Sequence, residues 1–162
     1  DDQAVEHWDK IQRRQEINAS GHSMVDGPVD VSDSDLTDDN RELVTSYVSN
    51  ILINRQLEML GDYISNDNHY TQHNPHMEDG FLAQHKALEE TFSDGYAIQY
   101  KCNHRILAEG NFVLTVSEGS YNGSHSSYFD LFRVSEGKLV EHWDTIETIP
   151  PREEWKNANG KF

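Results

Sequence analysis

Residues 126–147 carry the sequence SSYFDLFRVSEGKLVEHWDTIE, in which two runs rich in β-branched and aromatic residues flank a Glu-Gly pair. Runs of this kind around a short glycine-containing segment are typical of a β-hairpin. With residues 135–137 as a three-residue turn and Gly137 in the left-handed conformation, Val134 pairs with Lys138. The stretch therefore predicts two long antiparallel strands.

Two similar runs precede this hairpin, so the C-terminal half of the chain is predicted to be a meander of four strands. Turns are predicted at Glu109-Gly110 and Asn122-Gly123, which lie between the runs. The four predicted strands cover residues 97–108, 111–121, 126–134 and 138–147.

The preceding part of the chain has helical periodicity instead. Thr37 is expected to cap a first helix, and a second, shorter helix is predicted around Leu60. A third helix is predicted from Phe81 to Phe92, before Gly95. Apolar residues of the first helix recur at helical spacing at Leu43, Val44, Tyr47, Val48, Ile51 and Leu52. Helices followed by strands indicate an α+β fold, in which helices cover one face of an antiparallel sheet and a pocket forms between them.

The composition narrows the classes of partner. The 162 residues suit one domain with a real core. Twenty-nine acidic and 13 basic side chains give a formal charge of −16, and such a surface repels phosphate backbones and anionic lipid headgroups. We therefore expect neither a nucleic-acid nor a membrane partner. Cys102 is the one cysteine and is expected to be a small buried side chain.

The predicted location is the cytoplasm. No apolar run approaches the roughly 20 residues that span a bilayer. The N-terminus lacks the basic and apolar regions of a signal peptide. Because the sequence begins at Asp1 without methionine, earlier removal of an export signal stays open.

An eight-residue segment occurs twice, about one domain length apart. VEHWDKIQ at 5–12 matches VEHWDTIE at 140–147, which suggests a tandem parent whose first copy has been cut away. We therefore interpret residues 1–12 as a strand left from the preceding copy and expect residues 4–12 to be β. The remaining predicted segments are a linker or surface arm at 13–36, the domain at 37–150 and a C-terminal tail at 151–162.

Two stretches carry a family resemblance. YTQHNPHMEDG at 70–80 and GKLVEHWD at 137–144 resemble the SnoaL-like polyketide cyclase branch of the nuclear-transport-factor-like superfamily. The resemblance covers roughly residues 37–150 and implies helices packed on a strongly curved antiparallel sheet, a cone-shaped α+β barrel that is usually dimeric. In relatives the internal pocket hosts cyclisation by aldol condensation, isomerisation, dehydration or epoxide hydrolysis, and many relatives have no known activity.

Side chains alternate across a strand, so the hairpin has two faces. In the predicted register Asp130 faces His142 and Tyr128 faces Asp144. One face holds Tyr128, Asp130, Phe132, Val140, His142 and Asp144, and the other holds Phe129, Leu131, Arg133, Leu139, Glu141 and Trp143. The first face combines apolar groups with two carboxylates, an imidazole and a phenol, which suits a catalytic pocket. The second offers apolar surface to a partner subunit, and we expect a homodimer through it.

The predicted catalytic residues come from the first face. Asp144 is expected to be the base and His142 its partner, with Asp130 as a further catalytic carboxylate. Burial raises the pKa of a carboxylate and a neighbouring imidazolium lowers it, so these groups are expected to perturb each other. The alternative is an ordinary cross-strand ion pair.

The predicted ligand-binding residues come mainly from the loop. Pro75 restricts Asn74 to an extended backbone, which fixes His73 and Asn74 for contact with a ligand, and simple loop hydrogen bonding is the alternative. Tyr70, from the same loop, and Tyr128 are expected to contact ligand as well.

His104 completes the predicted ligand-binding set, with a core or pocket-rim histidine as the alternative. His69, His73 and His76 are not completed by a carboxylate or thiol in a recognised motif, and the resembled cyclases work without metal. We therefore expect neither a metal nor a cofactor.

The expected function is a cofactor-independent cyclase or isomerase of the SnoaL type. A carboxylate would remove a C–H proton beside a carbonyl, and polar groups would stabilise the enolate. A non-catalytic domain that binds a small hydrophobic molecule is the alternative, and a dimerising assembly module is the third. The expected ligand is a small hydrophobic or keto-containing molecule.

Overall fold

The computed structural model describes residues 3, 7, 9–65, 69–94 and 97–162. Helix α1 spans Thr37–Tyr47 and continues as a π-helical segment, Val48–Ile53. Helix α2 spans Leu60–Tyr63 and α3 spans Phe81–Asp94. Single 3₁₀ turns lie at Ser34–Leu36, Leu57–Met59 and Arg152–Glu154. The strands are β1 (Thr71–Gln72), β2 (Ile98–Glu109), β3 (Phe112–Tyr121), β4 (Ser124–Ser135) and β5 (Lys138–Thr148).

The five strands form one open sheet in the order β1-β5-β4-β3-β2. The four long strands pair antiparallel in chain order, and β1 pairs parallel to β5. The sheet is therefore mixed rather than purely antiparallel, and the α+β class predicted from the sequence is confirmed. Thr37 is the first residue of α1 rather than its cap. Its hydroxyl bonds both the Ser34 carbonyl and the Gly110 N–H, which attaches the helix to the β2–β3 turn.

The helices pack on the inner face of the sheet, where they bury an apolar core. Tyr47 and Phe132 meet edge to face at 5.4 Å across the helix–sheet boundary. The largest fully buried apolar side chains are Tyr47, Tyr70, Tyr128, Phe132, Ile51, Leu60, Ile64 and Leu139. Each such side chain stabilises the fold by about 1.5–3 kcal/mol relative to exposure.

The β4–β5 hairpin differs from the predicted register. Its turn has two residues, because Glu136 and Gly137 both have positive φ, 51° and 70°, as a type I′ turn requires. Ser135 therefore pairs with Lys138. A bulge follows between the pairs Val134–Leu139 and Arg133–Glu141, where β5 has one extra residue, Val140.

The bulge changes both the faces and the pairs. Leu139 joins the core, so the predicted grouping of Val140 with His142 and Asp144 was wrong. Asp130 is opposite Asp144 and Phe132 is opposite His142, so the predicted cross-strand pairs were wrong as well. The residues of β4 alternate as predicted, and Tyr128, Asp130 and Phe132 are all buried.

Residues 13–33 form an arm without helix or strand that lies along the domain. The Asn18 side chain is buried and donates to the carbonyls of Gln72 and Asn74, at 2.6 and 3.4 Å. Further along, Trp143 Nε1 donates to the Asp26 carbonyl at 2.8 Å. The arm therefore covers part of the outer face that was predicted to form the dimer interface. The homodimer itself stays a prediction.

The first copy of the repeated segment falls mostly outside the described residues, including Trp8 and residues 4–6. Residues 9–12 are described and form no strand. Gln12 nevertheless reaches β5, since its Oε1 accepts the N–H of Ile146 at 2.8 Å. No helix in the described part of the chain is long and apolar enough to cross a membrane.

Candidate functional site

A cavity of about 630 Å³ lies between the inner face of the sheet and the helices. This volume is in the range of small-molecule sites. On the α3 side the wall combines the apolar Leu88 and Phe92 with the polar Gln84, Glu90 and Thr91. The polar residues from β4, β5 and the 70–80 loop that line it are Asn74, His76, Asp130, His142, Asp144 and Thr148. The predicted base and its predicted partners thus line one cavity.

Asp144 has one oxygen held and one oxygen free. Its Oδ2 accepts a hydrogen bond from Asn74 Nδ2 at 2.6 Å. Its Oδ1 is buried and has no hydrogen-bond partner among the described residues. A buried carboxylate oxygen without a partner is costly, and such groups need an explanation. A bound ligand that donates a proton would satisfy this oxygen.

Burial raises the pKa of Asp144 above its usual 3.8. The carboxylate of Asp130, directly opposite on β4, raises this pKa further. His142, the hydrogen bond from Asn74 and the charge of Lys10 each lower it, but burial outweighs them. A carboxylate with a raised pKa is a stronger proton acceptor than one in water. Its position at the cavity wall and its raised pKa therefore make Asp144 the candidate proton acceptor of this site.

Asp130 and His142 form a buried pair next to Asp144. His142 Nε2 lies 3.2 Å from Asp130 Oδ1, and the imidazole stacks on Phe132 at 4.7 Å. His142 Nδ1 lies 3.1 Å from Gln72 Oε1, and the same oxygen accepts the N–H of Asn74. Because the amide oxygen only accepts, Nδ1 carries a proton. The pair is thus oriented by a hydrogen-bond network that begins in the loop.

Tyr100 belongs to the same network and was not identified from the sequence. Its hydroxyl donates to Asp130 Oδ1 at 2.9 Å, and its ring stacks on Tyr128 at 4.4 Å. Burial raises the pKa of Tyr100 well above 10, with further contributions from Asp130 and Asp144. Tyr100 therefore stays a neutral donor. Tyr100 lies opposite Gly119 in the β2–β3 ladder and, like Ile106, packs against the core, so the even spacing of these two residues along β2 was the available sequence signal.

The loop places Asn74 through hydrogen bonds of its own. Asn74 Oδ1 accepts the N–H of His76 at 2.8 Å, and the Gln72 N–H donates to Asp79 Oδ1 at 2.9 Å. The Gln72 side chain also donates to Gln84 on α3 at 3.2 Å. Hydrogen bonds thus hold the Asn74 side chain at both ends, and contact between Asn74 and a ligand stays a prediction.

His73 does not line this cavity, which corrects its predicted place. Its ring is buried on the outer face, where it stacks on Trp143 at 4.5 Å. Its Nδ1 lies 2.9 Å from the Ser23 carbonyl and its Nε2 lies 2.9 Å from Glu141 Oε1. Burial alone would lower the pKa of His73, but the hydrogen bonds to Glu141 and Ser23 outweigh it and raise the pKa. His73 therefore fastens the arm to the sheet.

Three more residues that were predicted to contact ligand, Tyr70, His104 and Tyr128, do not line the cavity. Tyr70 packs in the core, and its buried hydroxyl has no hydrogen-bond partner among the described residues, but it does not form part of the cavity wall. His104 is on the opposite side of the sheet, beside Glu118. Tyr128 is buried behind the cavity, where its hydroxyl donates to the Ser120 carbonyl.

Lys10 was also not identified from the sequence. Its ammonium lies 4.7 Å from the centre of the Phe129 ring and donates to the Ser127 carbonyl. Burial lowers the pKa of Lys10 from 10.5 to about 7, against the opposing effect of Asp130. The segment that precedes the arm therefore brings an amine with a lowered pKa close to Asp130 and Asp144.

Solved structures share this fold at low sequence identity. No family model and no curated protein matches the chain. A proposed ketosteroid isomerase from Kribbella flavida is 16% identical, with a TM-score of 0.61 over 78% of this chain and 94% of that one. An NTF2-like protein of unknown function from Burkholderia xenovorans is 17% identical, with a TM-score of 0.58 over 77% and 99%.

A SnoaL-like polyketide cyclase from Agrobacterium tumefaciens is 9% identical, with a TM-score of 0.53 over 67% of this chain and 91% of that one. These neighbours define the class: the chain has the NTF2-like cone-shaped α+β fold. The similarity to structures described as a SnoaL-like polyketide cyclase and a ketosteroid isomerase confirms the fold that the sequence resemblance implied. Identities this low establish the fold alone, so the site carries the functional argument.

Proposed function

We propose that the protein is a cofactor-independent isomerase or cyclase in which Asp144 removes a proton from a carbon beside a carbonyl group. The observation that carries this proposal is the buried Oδ1 of Asp144 at the wall of the cavity, which accepts no hydrogen bond from any described residue. Asn74 fixes the other oxygen, so the carboxylate has one defined direction for proton transfer. A fixed general base typically contributes about 10²- to 10⁴-fold in rate.

The second half of the proposal concerns the enolate. When the C–H bond breaks, its proton goes to Asp144 Oδ1 and its electron pair moves into an enolate, whose oxygen needs a donor. Tyr100 lines the same cavity and is the proposed donor: its hydroxyl proton, which Asp130 accepts in the absence of substrate, turns to the enolate oxygen when substrate binds, while His142 stays paired with Asp130. In isomerisation the proton returns to another carbon. In cyclisation the enolate carbon attacks a second carbonyl, and the proton passes to the resulting alkoxide.

The similar structures described as a ketosteroid isomerase and a polyketide cyclase support this reaction class by analogy. The apolar wall around Leu88 and Phe92 supports a substrate with a hydrophobic body and a keto group. The same wall also favours the second candidate function, non-catalytic binding of a small hydrophobic molecule.

Deuterium exchange separates these two functions without knowledge of the product. Small β-keto compounds and aromatic polyketides are incubated with protein in D₂O, and loss of the α-proton signal is followed by NMR. The Asp144→Asn variant keeps the size of the side chain and should slow exchange by about 10²- to 10⁴-fold. Asp62→Asn changes an exposed aspartate on α2 and should exchange as the unaltered protein does.

Binding must be measured in parallel, by the shift in unfolding temperature that each compound produces. The proposal is supported by a compound that binds the unaltered protein and Asp144→Asn equally but exchanges its α-proton much more slowly with Asp144→Asn. Equal exchange in Asp144→Asn and Asp62→Asn would exclude Asp144 as the base. Binding without exchange in any protein would establish the binding domain instead.

A further inference from the structure

The outer face of the sheet carries a second group of chemically reactive side chains, on the side opposite the cavity. Cys102 Sγ lies 3.5 Å from His104 Nε2 and 3.7 Å from Glu118 Oε2. His104 Nε2 lies 2.8 Å from the same Glu118 oxygen. A thiol, an imidazole and a carboxylate thus point at one centre. We propose that these three residues bind a zinc ion.

The distances suit a tetrahedral ion. Zinc bonds of about 2.0–2.3 Å place neighbouring ligand atoms about 3.3–3.7 Å apart. Both sulfur distances already fall in this range. The 2.8 Å contact between His104 and Glu118 is a hydrogen bond that opens by about 0.5 Å when the metal replaces its proton. The Cys102 thiol releases its proton to solvent on binding, because thiolate is the ligand form.

The sheet itself builds this arrangement. Cys102 is directly opposite Glu118 in the β2–β3 ladder. The register shifts between Asn103 and Arg105, so that His104 is the extra residue of a bulge. Bulges change the direction of side chains, and here the bulge brings the His104 ring next to Cys102, two residues earlier in the strand. The His104 ring is also fixed by stacking on Phe162 at 4.1 Å.

His125 on β4 provides the outer support. Its Nε2 lies 2.9 Å from Glu118 Oε1, the oxygen that the metal does not use. Partners of this kind orient a metal ligand and typically contribute about 10- to 100-fold in affinity. With three protein ligands, solvent occupies the fourth position. A thiolate and an imidazole select zinc and similar transition ions over magnesium or calcium.

A second group of potential ligands, His22, Asp26 and His73, is a weaker candidate. Both ring nitrogens of His73 are occupied, one by the Ser23 carbonyl and the other by Glu141. A metal there would have to break the contacts that fasten the arm. This group therefore serves as an internal control.

Cobalt substitution tests the proposal directly. Co²⁺ is titrated into the metal-free full chain, and the absorption spectrum is recorded. The proposal predicts a sulfur-to-cobalt charge-transfer band and visible bands of tetrahedral intensity, both reversed by Zn²⁺. Cys102→Ser should abolish the charge-transfer band, and His104→Ala should weaken binding by more than about 100-fold, beyond the effect of an outer partner. His125→Ala should weaken it about 10- to 100-fold.

His22→Ala is the matched control and should leave the spectrum unchanged. Zn²⁺ should also raise the unfolding temperature of the unaltered protein and of His22→Ala, but not of Cys102→Ser, provided that circular dichroism shows each variant folded. A spectrum without the sulfur band would overturn the proposal. So would a zinc effect on unfolding that disappears in His22→Ala and persists in Cys102→Ser.

Discussion

Replacement of His73 by alanine should destabilise the protein strongly and in a pH-dependent way. The ring is almost fully buried between Glu141, the Ser23 carbonyl and Trp143. Ser23 offers a carbonyl oxygen and Glu141 offers a carboxylate. Burial raises the pKa of Glu141, but hydrogen bonds from His73 and Arg133 outweigh burial and lower it. Both acceptors require N–H donors, so the bound form is the imidazolium. Removal of one partner from a buried ion pair costs about 3–5 kcal/mol.

The effect has a defined sign with pH. The pKa of His73 is raised above 6.5 in the folded protein, so its contribution is complete below pH 6.5 and is lost as pH rises through the folded value. For a domain of this size, 3–5 kcal/mol corresponds to a fall of about 6–20 °C in unfolding temperature. We expect that loss at pH 6 and a smaller one at pH 9.5.

Thermal and urea unfolding at both pH values measures the effect, with circular dichroism as the probe because Trp143 contacts the substituted ring. His76→Ala alters an exposed histidine three residues away and should change stability by less than about 0.5 kcal/mol. A loss below 1 kcal/mol for His73→Ala, or the same loss at pH 6 and pH 9.5, would refute the assignment of a buried imidazolium.

Asp144→Asn should be more stable than the unaltered protein at pH 7, because the raised pKa means that the folded state disfavours the charged form. That difference should vanish below pH 3.8 in urea unfolding, and a less stable variant at pH 7 would contradict the raised pKa. Asn74→Ala removes a hydrogen bond that lowers the pKa of Asp144, so the rise of the deuterium-exchange rate with pH should begin at a higher pH. An unchanged pH dependence would show that Asn74 does not affect the proton affinity of Asp144. Gly119→Ala should cost about 1–3 kcal/mol, because its new methyl would lie 1.7 Å from the Gln99 carbonyl oxygen. Gly61→Ala, with open space around it, should be neutral or stabilising in the same measurement, and equal effects would contradict the close β2–β3 approach.

The strands were predictable from the sequence because their turns have strong local signals. Asn122 and Gly123 both have positive φ, as do Glu136 and Gly137, which explains why the strand ends agree to within two residues. The choice between a two-residue and a three-residue turn was not predictable. The bulge at Val140 compensates for the shorter turn, so His142 and Asp144 still reach the inner face in a different register, while Leu139 takes the place predicted for Val140.

The site was only partly predictable for the same reason. Asp144, His142, Asp130 and Asn74 line the cavity as expected, since alternation along β4 and along β5 after its bulge is a local property, as is the conformation of the loop. His104 lies on the other face because two bulges interrupt β2. His73 turned outward because the arm supplies Ser23 as an acceptor, a contact across 50 residues of sequence.

The central claim is that Asp144 is a base with one free oxygen and a raised proton affinity inside the cavity. Carbon NMR of the aspartate carboxyl groups, assigned by comparison with Asp144→Asn, measures this property without any substrate. The account predicts that the Asp144 carboxyl titrates above 3.8 and that its signal shifts when a keto compound binds. Titration at or below 3.8, with a signal that does not respond to any bound compound, would contradict it.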